Sequence, residues 1–220
     1  MILSAFKLSL WVVSLATLVV GASGTAFGFL LARREFRGKE LLDSVLTLPM
    51  VLPPTVTGYY LILLLGRTGL LGRYIYQLTG WSVAFTWQAA VIAASVMALP
   101  IMVKSARAAI ASVDSRYEVA SFTLGKTELE TFFRVTMPLA FRGLIAGLVL
   151  SFARALGEFG ATLMLAGNIP GKTQTMPLAI YEAFISGDDR EAQMLAVILT
   201  VTSIVVIYLT NVLSRPLETA

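Results

Sequence analysis

The chain has 220 residues, of which 57% are hydrophobic and only 14% charged, with a mean hydropathy of +0.80; soluble domains carry about 25% charged residues, so this is the composition of an integral membrane protein. It contains neither His nor Cys, which removes the soft ligands of zinc, haem and iron–sulfur centres together with thiol nucleophiles and disulfides, and argues against a metalloenzyme or a redox protein. The net charge of +4 reads as a topology signal, because lysine and arginine collect in cytoplasmic loops, and not as a sign of nucleic-acid binding.

A bilayer core of about 30 Å at about 1.5 Å per residue asks for roughly 20 apolar residues. Ser9 to Leu31 is uncharged and ends at the basic cluster Arg33, Arg34, Arg37, Lys39. It is too long for the apolar core of a cleavable signal peptide, and no A-x-A-like site precedes the cluster. The second span, Leu46 to Leu65, contains Pro49, Pro53 and Pro54. Each proline removes a backbone donor and can bend the helix, which suits a moving gate and equally a static bundle whose neighbours re-satisfy the freed carbonyls. Val83 to Val103 is third, with Trp81 and Trp87 as interfacial anchors and Lys104 and Arg107 beyond its other end; Pro100 is expected to kink or end it.

A charged stretch, residues 114 to 138, separates that span from the fourth, Leu139 to Gly167. The fourth is apolar except for Arg142 at its start and Arg154 and Glu158 inside. The latter two stand four apart, on one helical face, and in lipid they must be paired or wet. They either fix helix packing or line a path, and Glu158 offsets the charge that Arg154 would show a passing dianion. Gly157 and Gly160 permit close helix approach or a break. Phe159 and Thr162 complete this set of pathway candidates, to which the three prolines of the second span belong. Residues 168 to 191 are polar, with Met176 to Ile185 expected as a short interfacial or re-entrant helix. Ala192 to Leu213 is the fifth span, closed by Arg215 and Pro216.

With five spans and the first basic cluster inside, the inner loops hold Arg33, Arg34, Arg37, Lys39, Lys104, Arg107, Arg116, Lys126, Arg134, Arg142 and Arg215, while the outer ones hold Lys7, Arg67, Arg73, Lys172 and Arg190. The positive-inside rule therefore puts the amino terminus outside and the carboxyl terminus in the cytoplasm. In the inner segment 114 to 138, Val119, Phe122, Leu129, Phe132 and Phe133 interleave with charges as in short amphipathic helices. Gly125 divides them, so a helix, a sharp turn and a second helix stopped near Pro138 are predicted. The competing reading is a surface loop lying on the headgroups.

This segment resembles the cytoplasmic signature loop of ABC importer permeases, written EAA, three residues, Gly, nine residues, then I-x-L-P. Gly125 is followed by nine residues and then Val135-Thr136-Met137-Pro138; upstream, Glu118, Ala120, Thr123, Leu124 and Gly125 match an E-x-A-x-x-T-L-G form, with Val119 and Ser121 departing from it. The stretches starting at Leu41 and at Phe152 are similar to those of molybdate importer permeases. GEFGA, Gly157 to Ala161, is shared with sulfate and thiosulfate permeases, whereas Asn168 to Pro177 leans toward molybdate.

The resemblance implies a single transmembrane domain over residues 1 to 220, all α-helical, of the type I importer fold and seated in the bacterial inner membrane. It also implies a homodimer working with two cytoplasmic ATPase subunits, which the signature hairpin contacts, and with a periplasmic binding protein that brings molybdate or tungstate. The chain has no G-x-x-x-x-G-K-[ST] loop, so ATP and Mg belong to the partner and no cofactor is expected here. Sulfate or thiosulfate is the alternative cargo. A secondary anion transporter would need paired halves and a coupling-ion site, and an intramembrane enzyme would need convergent catalytic groups; neither pattern is present.

Overall fold

The computed structural model describes residues 2–213, with side chains to residue 208. Among these there are only helices: α1 (Ile2–Arg33), α2 (Lys39–Val51), α3 (Pro54–Leu65), α4 (Gly72–Thr79), α5 (Trp87–Ala111), α6 (Ser115–Thr123), α7 (Glu128–Thr131), α8 (Met137–Leu156), α9 (Gly160–Ala166), α10 (Met176–Ile185) and α11 (Asp189–Leu213), with a π-helical turn at Phe132–Thr136 joining α7 to α8.

The centre of the bundle is α5, whose buried face is Ala89, Ala90, Ala93, Ala94, Ala98 and Ala106 with Met97, Met102 and Ile110. Lipid tails are as apolar as any side chain, so membrane helices associate by close packing of small residues. A Cβ at Gly24 would lie 2.5 Å from Met102, and one at Gly28 2.5 Å from Ala106. The contacts climb both helices together, from the Trp11–Trp87 ring pair at 6.2 Å to Arg33 donating to the Val113 carbonyl at 2.9 Å. Helices α1 and α5 are therefore parallel. Helix α8 is antiparallel to α5, with Gly143 against Ala109 and Gly147 against Ser105.

Parallel neighbours in succession require a return crossing. That crossing is α2 and α3, two short helices bent by 119° at the break between them. Asp43 of α2 binds Lys104 and Arg107 at 2.8 and 2.7 Å, near the carboxyl end of α5. Helix α3 packs along α9, whose Leu165 carbonyl accepts the Phe85 N–H at the other end. With α1, α5, the continuous helix Glu128–Leu156 and α11, each long and apolar enough to cross, the chain makes five traverses. At the Trp87 end, Ala5, Met176, Ala179, Ala183, Ala192 and Leu195 form a second small core, and α10 is the short helix expected at Met176 to Ile185.

Three expectations are corrected. Pro100 does not end its span, since α5 continues to Ala111; packing of α1 and α8 along it outweighs one missing hydrogen bond. Pro138 does not stop the hairpin's second helix, which runs on to Leu156, because the π-turn just before it, closed by the Met137 N–H to the Phe132 carbonyl, widens the helix where the proline ring would otherwise meet a carbonyl. The stretch 139 to 167 is not one helix. It ends at Leu156 and resumes at Gly160, so Glu158 sits in the break and does not share a helical face with Arg154.

Candidate functional site

Helices α6 and α7 form a hairpin beyond the ends of α1, α5 and α8. Asp114 opens it, its side chain accepting the Arg116 N–H at 2.9 Å and pairing with the Arg116 guanidinium. These bonds, the guanidinium's first, hold the Asp114 carboxyl below the usual carboxylate range. Helix α6 closes over Ala120, whose carbonyl accepts from Leu124 N–H and Thr123 Oγ1. Gly125 then turns the chain at φ 77°, a conformation that costs other residues dearly. Thr127 and Glu130 cap α7 reciprocally, and a buried Ser121–Thr131 hydroxyl bond of 2.8 Å pins the two arms. Outward, Tyr117, Val119, Phe122, Leu124 and Leu129 are exposed, Leu124 by 80%. A rigid knob with an apolar tip fits a complementary cleft.

Glu118 points the other way. Its Oε1 accepts from Arg33 Nε at 3.1 Å and from Thr136 Oγ1 at 2.7 Å, so the carboxylate is turned toward the bundle.

The pathway candidates gather where the two broken spans meet. A Cβ on Gly160 would lie 2.9 Å from Pro54 and 3.2 Å from the Thr55 nitrogen, and one on Gly58 2.7 Å from Ala161. Thus α3 and α9, each starting at a break, lie against each other. Inside the second break the Glu158 side chain is 2% exposed; one oxygen binds Arg154 Nη1 at 2.8 Å and the other accepts the Ala161 N–H at 2.8 Å. The carboxylate thereby satisfies a helix start and a charge at once. The Phe159 ring meets that of Tyr181 at a tilt of 58°, centroids 5.2 Å apart, and Thr162 is buried. Gly157 is exposed and touches nothing closely, and Pro49 stands apart on α2, so these two do not share the contact.

The model of the family described as binding-protein-dependent transport system inner membrane component matches residues 24–219. The chain is a member of this family. It is 45% identical over 212 residues to the molybdenum transport system permease protein ModB of Escherichia coli (strain K12), covering 96% of this chain and 93% of that one. To the sulfate transport system permease protein CysT of Salmonella typhimurium it is 32% identical, covering 96% and 76%. A bacterial alginate ABC transporter, solved in complex with an alginate pentasaccharide-bound periplasmic protein, superposes with a TM-score of 0.78 at 17% identity, over 99% of this chain and 80% of that one. The fold is that of type I ABC importer permeases.

For this permease, sequence reasoning picked out Glu118, Ala120, Thr123, Leu124 and Gly125, which the structure brings together in the hairpin; Pro138 lies beyond it, exposed in α8. It missed Arg33, counted only as a topological charge, and Thr136. It also missed the Thr127–Glu130 cap, which the T-x-x-E spacing does signal.

Proposed function

We propose that this permease is the membrane subunit of an ATP-driven molybdate importer, working as a homodimer on two ATPase subunits. Two copies related by a twofold axis would enclose a pore that one five-span copy is too thin to form. The hairpins face the cytoplasm, in keeping with the eleven inner lysines and arginines counted above, and the apolar tip around Leu124 seats in the ATPase. The opposite end, with residues 168 to 191, receives a periplasmic binding protein carrying the anion. ATP binding draws the ATPases together and swings the hairpins, converting an inward-open cavity to an outward-open one; hydrolysis resets it. The chain itself hydrolyses nothing. Where α3 meets α9, Pro53, Pro54, Gly160 and Thr162 border the path, and the Arg154–Glu158 pair keeps it free of a fixed cation that would trap a dianion.

The observation that carries the reading is the likeness to molybdenum permeases across nearly the whole chain, joined to a hairpin whose apolar tip is left exposed by the described residues. Two experiments test it. In proteoliposomes holding permease, ATPase and binding protein, molybdate uptake exceeds sulfate uptake, and the reverse preference would overturn the choice of anion. Gly125→Trp and Glu118→Lys each abolish substrate-stimulated ATP hydrolysis while the permease still inserts; unchanged stimulation removes the coupling role.

A further inference from the structure

Arg33 is the last residue of α1, a helix with no chain connection to the hairpin: α6 follows α5, and α7 leads into α8. The hairpin nevertheless holds α1 by its end. Arg33 Nη2 lies 3.0 Å from Glu118 Oε1, Nε donates to the same oxygen at 3.1 Å, and Nη2 donates to the Val113 carbonyl at 2.9 Å. Thr136, buried in the π-turn, donates to that same oxygen. One carboxylate on α6 thus collects a donor from α1 and a donor from the entry to α8, while its arginine also holds the chain leaving α5.

The neighbouring Arg34 pairs with Glu128 on α7, so consecutive arginines hold the two arms of the hairpin. These links are unequal. The Arg34–Glu128 side chains are 54% and 47% exposed, and such a pair contributes little. The Arg33–Glu118 side chains are 18% and 13% exposed, and a shielded, multiply bonded pair fixes geometry. The Phe29 ring adds an edge-on contact with Phe132 at 4.8 Å. Without these contacts a push on the hairpin would reach the bundle only through the 112–114 turn and through the π-turn, whose wide hydrogen bonding yields readily.

We infer that Arg33 is a positioning residue of the coupling machinery, fastening α1 to the hairpin so that a displacement of the hairpin moves α1 and α5 as one body. The close glycine contacts at Gly24 and Gly28 make that pair of helices rigid. The inference rests on the hairpin being the element that couples to the ATPase.

The test uses the full complex in proteoliposomes and reads molybdate taken up per ATP hydrolysed. Arg33→Ala lowers this ratio about fivefold or more, the scale of a coupling free energy between sites. Arg33→Lys, which keeps the charge but lacks the planar fork needed to reach two acceptors, loses less. Because the chain has no cysteine, the Arg33→Cys/Glu118→Cys double variant can be bridged by a short bifunctional thiol reagent. It is uncoupled before bridging and recovers afterward. Gly125→Trp separates the two levels of the inference: if it lowers the ratio and Arg33→Ala does not, the clamp alone falls; if neither lowers it, the coupling reading falls and takes the clamp with it. Should Arg33→Ala fail to assemble, the bridged pair decides, recovery supporting the clamp and no recovery overturning it.

Discussion

Two of the glutamates paired with arginines in this permease are shielded from solvent, one held across 85 residues of sequence and the other across four. Glu118 joins separate helices at the hairpin, gathering donors from α1 and from the entry to α8. Glu158 is buried inside a break within one span, bracing the start of α9 and neutralising Arg154. The same residue pair is thus a link between moving parts in one place and a filler of unsatisfied valences in the other. Variants at the break should therefore act mainly on stability, and variants at the hairpin mainly on coupling.

The largest stability effect is expected at Glu158. Glu158→Ala strands Arg154 and frees the Ala161 N–H; breaking a shielded pair costs about 3–5 kcal/mol, and with Arg154 30% exposed the lower end applies. Thermal unfolding in detergent measures it. The Arg154→Ala/Glu158→Ala double variant should regain more than half of the loss. A smaller recovery would mean that the freed Ala161 N–H, and not the stranded arginine, carries most of the cost.

Next in size is Gly160→Leu, which drives a side chain into Pro54 and the Thr55 backbone and should cost about 1–3 kcal/mol as overpacking, with molybdate uptake falling alongside Tm. Gly157→Ala meets nothing within 3.4 Å and should stay within about 0.5 kcal/mol of the parent. Equal losses at the two glycines would contradict the contact between α3 and α9. At the hairpin, Thr131→Val removes the buried hydroxyl bond to Ser121 at about 1–3 kcal/mol. That loss should appear as faster hydrogen exchange confined to α6 and α7, with the global Tm little changed.

These contrasts were unequally legible in the sequence. The hairpin is written locally, in a glycine that takes φ 77° and in amphipathic flanks, and so it could be anticipated. The glycines of the fourth span announced a possible break, but which of them touches a neighbour depends on α3, a hundred residues earlier. Pro138 misled because a proline's cost is set by its surroundings, and a π-turn accommodates it; of the two outcomes open for Pro100, a kink or an end, the continuous α5 excludes the end. Arg33 was invisible as anything but a charge, since its partners Val113 and Glu118 reach it only through the parallel packing of α1 on α5.

The smallest expected effect tests the solvent-facing end of the comparison. Asp114 caps α6 and pairs with Arg116, which hold its carboxyl below the ordinary value of 3.8. A group whose pKa is depressed on folding contributes its stabilisation above its unfolded value and loses it as pH falls through the folded one. The stabilisation this pair lends the hairpin entry should therefore be fully present at neutral pH and weaken only in acid, as the pH falls below 3.8. Exchange of the first α6 amides, corrected for intrinsic rates and followed from about pH 6 down to about pH 3, reads this step. Asp114→Asn keeps an acceptor for the Arg116 N–H but has no charge to lose, so its profile should be flat across that range. A parent profile equally flat would mean that the cap, unlike the Glu118 clamp, contributes nothing electrostatic to the hairpin.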